Sequence, residues 1–274
     1  MAKIAFVTCV QLGLSCIEEI YKINGHLDLI ITLDDNKSKF KSGRVYLDNI
    51  SKKHNIPLLK VNNVNDAEVI KSIKDLEIDW LFIIGWSQIA YRELLQTPKN
   101  GCIGMHPTLL PEGRGRASVP WAIIKKLKVT GVTMFKLDEG IDTGDIISQE
   151  KIELSPDITA TELYEKVNNL HSLLIKKMWN NIINNSVTLV KQNNKLATEW
   201  PGRLPDDGEI KSHMTMDEAY TLIRATTKPY PGAFVRIDNY KVIIWSAKLS
   251  IFSGDYKLSD GYLVFNETEV VFNE

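Results

Sequence analysis

Residues 4–8 open the chain as a short apolar run rich in β-branched side chains, and a glycine turn is expected at Gly13. Over residues 15–23, Ile17, Ile20, Tyr21 and Ile23 recur at helical spacing with Glu18 and Glu19 between them, which predicts an amphipathic helix. Residues 27–33 form a second apolar run, residues 49–55 are polar and helix-like, and a third short strand starts at Pro57. Residues 66–76 predict another amphipathic helix, and residues 80–84 a fully buried strand ending in Gly85. The strands are continuous apolar runs rather than alternating ones, and helices separate them. That pattern predicts an α/β domain with a doubly wound, mostly parallel sheet covered on both faces, its ligands at the carboxyl ends of the strands.

A long helical pattern follows over residues 160–184, capped by Thr159 or Thr161, with Leu163, Val167, Leu170, Leu174 and Met178 on one face. Turn-forming residues then crowd the stretch WPGRLPDDG that starts at Trp200. Beyond Arg236 the pattern turns to β-rich runs over residues 240–245, 249–252, 261–265 and 269–272. Two domains are therefore expected, residues 1–200 and a small, mainly β portion over residues 201–274.

Composition narrows the class. The chain has 274 residues, 33 Lys and Arg against 34 Asp and Glu, and 44% hydrophobic residues. Such a balance excludes intrinsic disorder, which needs low hydrophobicity and a large net charge. It also argues against a whole-chain basic surface for nucleic acid. Cys9, Cys16 and Cys102 are too few for a disulfide framework and form no CxxC pair, so neither a redox motif nor a zinc knuckle is expected. No window reaches the roughly 18 apolar residues of a spanning helix, and a secretory signal is not evident, so a cytoplasmic location away from membranes is expected.

Two segments carry candidate chemistry. In GCIGMHPTLLPEGRGR, from Gly101, residues 102–105 predict a strand with His106 at its carboxyl end and Pro107 fixing the next turn. A lone histidine is usually a packed or surface group. Here it opens a Pro-, Gly- and Arg-rich loop that cannot pack as a regular element, which favours a functional one. In TGVTMFKLDEGIDTGDII, from Thr130, residues 132–137 predict a strand, and Asp138, Glu139, Asp142 and Asp145 cluster in the loop after it. A solvated turn is the plainer reading of Glu139 and Asp145. A metal site is weak, since one histidine and scattered carboxylates lack ligand spacing.

HPTLLP from His106 with Arg114 and Gly115, then TGVT from Thr130 and GIDTGD from Gly140, resemble the folate-dependent formyltransferases over about residues 1–235. The resemblance implies a Rossmann-like formyltransferase domain and transfer of a formyl group from 10-formyltetrahydrofolate, a co-substrate, with no metal. It places His106 and Asp142 on the catalytic His and Asp. The family pattern has an Asn two residues before the His, where this chain has Gly104, so a side-chain amide for the formyl oxygen is missing. Either His106, a backbone amide or ordered water then stabilises the oxyanion, or the chain is catalytically impaired. A histidine titrating near neutrality accepts the proton of an attacking amine or donates to that oxygen, and a neighbouring carboxylate orients it.

The same resemblance implies a pterin pocket lined by Gly85, Trp86, Ser87, Gln88 and Ile89, faced by Leu137, Asp138, Glu139 and Gly140. Trp86 reads equally well as a packing anchor. The turn at Gln11 and Gly13 lies where the family binds its amine. Arg114, Arg116, Trp121 and residues 41–46 flank the expected entrance, where arginine would pair with phosphate and an aromatic would stack on a base or sugar. Solvated charge and core aromatics are the alternative for each.

PGRLPDDGEI from Pro201, IRAT from Ile223 and YPGAF from Tyr230 resemble the linker and second-domain start shared by tRNA and sugar formyltransferases. Near-neutral charge and a C-terminal portion shorter than in the tRNA enzymes point to a sugar-nucleotide N-formyltransferase. Its substrate would be a UDP-, dTDP- or GDP-linked amino-dideoxy sugar of surface-polysaccharide biosynthesis, UDP slightly ahead. A methionyl-tRNA formyltransferase, a formyltetrahydrofolate hydrolase and a non-catalytic sugar-nucleotide or folate sensor are the alternatives. A homodimer is expected, because the C-terminal β runs offer pairable edges.

Overall fold

The computed structural model describes residues 2–38 and 43–272. Its strands in chain order begin with β1 (Ile4–Val7), β2 (Leu29–Leu33), β3 (Leu58–Val61), β4 (Trp80–Ile83), β5 (Gly101–His106) and β6 (Arg114–Gly115). They continue with β7 (Val129–Lys136), β8 (Ile146–Glu153), β9 (Glu199–Trp200), β10 (Ala233–Ile237), β11 (Tyr240–Ser250), β12 (Tyr256–Lys257) and β13 (Tyr262–Phe272). The helices are α1 (Gln11–Lys22), α2 (Asp35–Ser38), α3 (Asp48–His54), α4 (Ala67–Asp75), α5 (Arg92–Gln96), α6 (Ser118–Ile124), α7 (Ala160–Ile183) and α8 (Met216–Thr226).

The chain divides into two units. The first holds residues 1–114, 131–152 and 167–199, and the second holds residues 115–130, 153–166 and 200–274. Two segments that precede residue 200 thus belong to the second unit. The reason is local: α6 packs on α8, and Ile124 at its end reaches the core formed by Ile223, Val235, Ile244 and Leu263.

In the first unit a seven-stranded sheet runs in the order β3-β2-β1-β4-β5-β7-β8. The five strands from β3 to β5 are parallel neighbours, and β7 pairs antiparallel with β5, His106 facing Thr133 and Gly104 facing Phe135. All four residues of β1 and of β4 are buried, as continuous apolar runs require when both faces are covered. One face packs Val7, Ile31, Leu81 and Cys102 against Val69, Ile70 and Ile73 of α4. On the other, Phe6 stacks on Phe82 at 5.5 Å, and Phe82 on Trp179 of α7 at 6.3 Å. Truncating a fully buried ring such as Phe82 to alanine costs about 3–5 kcal/mol.

Helix α1 starts earlier than expected. Gly13 lies in its first turn rather than in a loop, and a Cβ there would meet the Thr8 hydroxyl at 2.0 Å. The glycine is a close approach between strand end and helix.

The second unit carries a four-stranded antiparallel sheet in the order β10-β11-β13-β12. The run expected over residues 240–245 and the start of that over 249–252 lie in one strand, β11, while residues 251–252 fall outside it; those over 261–265 and 269–272 lie in one strand, β13, from Tyr262 on. Register shifts between Ile244 and Ala247 break the alternation that a single strand would show. Helix α8 was not anticipated, although its start is written in the sequence. The Thr215 hydroxyl accepts from the Glu218 N–H (3.2 Å), and the Glu218 carboxylate accepts from the Thr215 N–H (2.8 Å), closing a capping box. No helix among the described residues is long and apolar enough to cross a membrane.

Candidate active site

His106 ends β5 and is 7% exposed. Its Nδ1 lies 3.4 Å from Oδ2 of Asp142, in the loop after β7. The other ring nitrogen is held from the opposite side, with Nε2 donating to the Gly113 carbonyl at 2.8 Å. The ring therefore meets an acceptor at each nitrogen, and the hydrogen bond to Gly113 fixes its plane while Nδ1 faces the carboxylate.

The loop over residues 138–145 is built to hold that carboxylate. The Asp138 side chain accepts from the Gly140 N–H (3.1 Å) and the Thr143 hydroxyl (2.6 Å). The Lys136 N–H donates to the Asp145 carbonyl at 2.9 Å, closing the loop at its base. Gly144 passes so close to the Lys136 carbonyl that a Cβ would lie 1.7 Å from it. Asp142 takes φ of 54°, in the left-handed region that Asp tolerates better than most residues.

The loop on the far side of His106 is equally constrained. The Gly113 N–H donates to the Thr198 hydroxyl (2.8 Å) and the Arg114 N–H to the Thr198 carbonyl (2.9 Å). The Leu110 N–H and the Gln149 amide both donate to the Thr133 hydroxyl, which donates in turn to the Thr108 carbonyl at 2.7 Å. His106 and Asp142 are thus the two expected catalytic residues that the fold brings together.

Gly104 lies two residues before His106 and faces a filled space. A Cβ there would sit 2.7 Å from Cδ2 of Leu137 and 3.3 Å from Cε1 of Phe135. Leu137 occupies the volume into which a larger side chain at residue 104 would project.

The expected pterin-lining residues have definite places. Gly85 takes φ of 66° after β4, where a Cβ would meet Val10 at 2.2 Å. Trp86 packs on the core of the first unit and donates from Nε1 to the Gln88 side chain (3.1 Å). The Gln88 side-chain oxygen also accepts from the Val64 N–H, and its amide donates to the Asn62 carbonyl. Gln88 thus latches its loop to residues 62–64, and Trp86 anchors the loop on the core, while Ile89 is 63% exposed. On the facing segment Asp138 organises the loop, and Glu139 lies 3.4 Å from Arg92.

The residues expected to hold the amine separate. Gln11 donates to the Ser15 hydroxyl (3.0 Å), within α1. Arg114 is 6% exposed, and its guanidinium is spent inside the protein: Nε and Nη2 donate to the Gln192 side chain, and Nη2 to the Asn194 side chain at 2.7 Å. The expected pairing of Arg114 with a phosphate is therefore replaced by an internal one, because the loop after β5 turns this side chain inward. Arg44 is likewise committed, its Nη1 donating to the Thr32 hydroxyl and Nη2 to the Leu33 carbonyl, with Tyr46 stacked beside it. Lys41 and Ser42 lie outside the described residues. In the second unit Arg116 is exposed, and Trp121 donates to the Pro201 carbonyl (2.8 Å) with Arg203 over its ring. Among the described residues no cluster of three His, Cys, Asp or Glu could hold a metal ion. Gln192 and Thr198 were not anticipated, since isolated polar residues in an irregular segment carry no periodicity or motif.

A helix-covered, mostly parallel sheet with a histidine–carboxylate pair beside a strand end is the framework of an α/β enzyme. The chain belongs to the formyl transferase family: the model of the formyl transferase domain matches residues 15–178, and that of the formyl transferase C-terminal domain residues 204–267. It is 32% identical over 259 residues to the bifunctional polymyxin resistance protein ArnA of Wigglesworthia glossinidia brevipalpis, covering 93% of this chain but only 38% of that protein. It is 30% identical over 247 residues to the methionyl-tRNA formyltransferase of Alkaliphilus oremlandii (strain OhILAs), covering 89% of this chain and 79% of the relative. Among solved structures, the N-formyltransferase from Helicobacter canadensis, in complex with folinic acid and dTDP-3-aminofucose, matches with a TM-score of 0.72 at 21% identity, over 98% of this chain and 100% of the other. Methionyl-tRNA formyltransferase from Clostridium thermocellum matches with a TM-score of 0.66 at 21% identity, over 99% of each chain.

Proposed function

We propose that this formyltransferase moves the formyl group of 10-formyltetrahydrofolate onto the amino group of a nucleotide-linked amino-dideoxy sugar for surface-polysaccharide biosynthesis. The contact of His106 Nδ1 with Asp142 at 3.4 Å carries the reading. A neutral amine attacks the formyl carbon, and the tetrahedral adduct holds a negative oxygen and a positive nitrogen. His106 and Asp142 take the proton from that nitrogen and return one to N10 of the folate as the carbon–N10 bond breaks. With the space beside Gly104 filled by Leu137, His106 meets the developing oxyanion by exchanging the Gly113 carbonyl on its Nε2–H for that oxygen, while Nδ1 keeps Asp142. Residues 85–89 and 137–140 form the walls for the pterin.

The choice of amine rests on charge: 33 basic against 34 acidic residues gives no basic surplus for a tRNA backbone. The fold match to a structure holding dTDP-3-aminofucose and folinic acid supports it. The second reading is a methionyl-tRNA formyltransferase, favoured by the sequence relative that covers 89% of this chain. A cytoplasmic homodimer completes the proposal. Incubation with 10-formyltetrahydrofolate and a panel of UDP-, dTDP- and GDP-linked amino sugars, beside methionyl-tRNA, tests it by mass spectrometry. A mass gain of one CO on a sugar nucleotide supports the reading, and formylation of methionyl-tRNA alone replaces it. Folate turnover without any acceptor identifies a hydrolase, and no turnover of any kind overturns the enzyme mechanism.

A further inference from the structure

Beyond the two residues of the proposed dyad, the structure assigns Gln192 as the residue that positions Asp142, itself held in place by Arg114. This inference rests on the role given to Asp142 above. The Gln192 side-chain amide donates to two main-chain carbonyls of the loop, Asp142 at 2.8 Å and Gly144 at 2.7 Å. The two acceptors bracket Thr143, so one planar group pins both ends of the turn that points the carboxylate at His106. That turn holds Asp142 at φ of 54°, a conformation that costs on the order of 1 kcal/mol and persists only when its surroundings enforce it.

Gln192 is in turn oriented. Its side-chain oxygen accepts from Arg114 Nε (3.2 Å) and Nη2 (2.7 Å), so the amide nitrogen must face the loop. Arg114 is buried, so its guanidinium cannot rotate away without leaving hydrogen bonds unmade in the interior. The register is set by the main chain, because Val190 and Ile146 exchange both N–H to carbonyl bonds at 2.8 Å, which lays Gln192 alongside the loop. The same segment ends at Thr198, whose hydroxyl accepts from Gly113, the residue whose carbonyl receives His106 Nε2. A stretch that looks like a connector thus braces the carboxylate through Gln192.

Gln192→Glu separates the two sides of this bridge. A carboxylate keeps the acceptors for Arg114 and replaces the donated bonds to the Asp142 and Gly144 carbonyls with acceptor–acceptor repulsion. With histidine-labelled protein, the Nδ1 nitrogen resonance of His106 and amide exchange over residues 140–145 are measured in wild type, Gln192→Glu and Asp142→Asn. The expected result is that Gln192→Glu moves the His106 resonance in the direction Asp142→Asn moves it, with loop exchange faster by about 10-fold and the rest of the sheet unchanged. If Asp142→Asn moves the resonance and folded Gln192→Glu leaves it at the wild-type position, the inference on Gln192 is overturned while the dyad stands. If Asp142→Asn leaves it unmoved, the dyad and this inference fall together. Should Gln192→Glu not fold, Gln192→Met, of similar length and with neither donor nor acceptor oxygen, is read in the same way.

Discussion

Lowering the pH should destabilise the first unit through His171. This residue lies on α7, is 1% exposed, and donates from Nδ1 to the Val167 carbonyl at 2.8 Å. Burial pushes its pKa down from the ordinary 6.5 to about 4; the Val167 carbonyl pulls the other way, and the charge of His106 adds to the lowering. The folded chain therefore keeps His171 neutral while the unfolded chain begins to bind a proton near pH 6.5. Its contribution is complete above pH 6.5 and is lost as the pH falls toward 4, below which no more is lost. The whole window is worth roughly 3 kcal/mol, and the part between pH 7 and pH 5 about 2 kcal/mol. Urea unfolding of wild type and His171→Leu at pH 7 and pH 5 isolates that part, because every other titrating group is common to both proteins. The variant should lose about 2 kcal/mol less stability across the two pH values than the wild type does. Equal losses in both proteins, or a His171 ring signal that titrates with a midpoint near its ordinary value, would refute the reasoning.

Two further predictions concern packing and reactivity. Gly104→Asn alone should destabilise by about 1–3 kcal/mol because its Cβ meets Leu137, and adding Leu137→Ala should recover most of that loss in thermal unfolding. Single and double variants of equal stability would show that Leu137 does not fill the space. Cys16 and Cys102 are buried, the first with its thiol raised far above the ordinary value and the second to about 12, in both cases chiefly by burial. Neither should be alkylated by iodoacetamide at pH 8 until urea is added, and labelling of either in the native protein would contradict the packing.

Much of the first unit was legible because its strands are continuous apolar runs between helices of clear period. The helix expected over residues 66–76 is α4 (Ala67–Asp75), and the one expected over residues 160–184 is α7 (Ala160–Ile183). The start of α1 was misplaced because Gly13 reads locally as a turn, whereas its task is to let the helix approach Thr8. The bulged register of β11 hid one strand as two, since each shift moves the following side chains to the other face. At the site, the motifs name His106 and Asp142, whose side chains lie 3.4 Å apart. The inward turn of Arg114 was not legible, because a sequence does not say whether an arginine faces solvent or, as here, reaches Gln192. Gln192 acts through main-chain carbonyls, which leave no trace in the identity of the residues they belong to.

The central claim is that His106 and Asp142 carry formyl transfer. It is tested most directly by the turnover of His106→Ala and Asp142→Ala beside the wild type, measured as mass gain of one CO on the accepting amine from 10-formyltetrahydrofolate. Each variant, folded by circular dichroism, should lose turnover on the order of 10²–10⁴-fold. Wild-type rates in either variant would contradict the account.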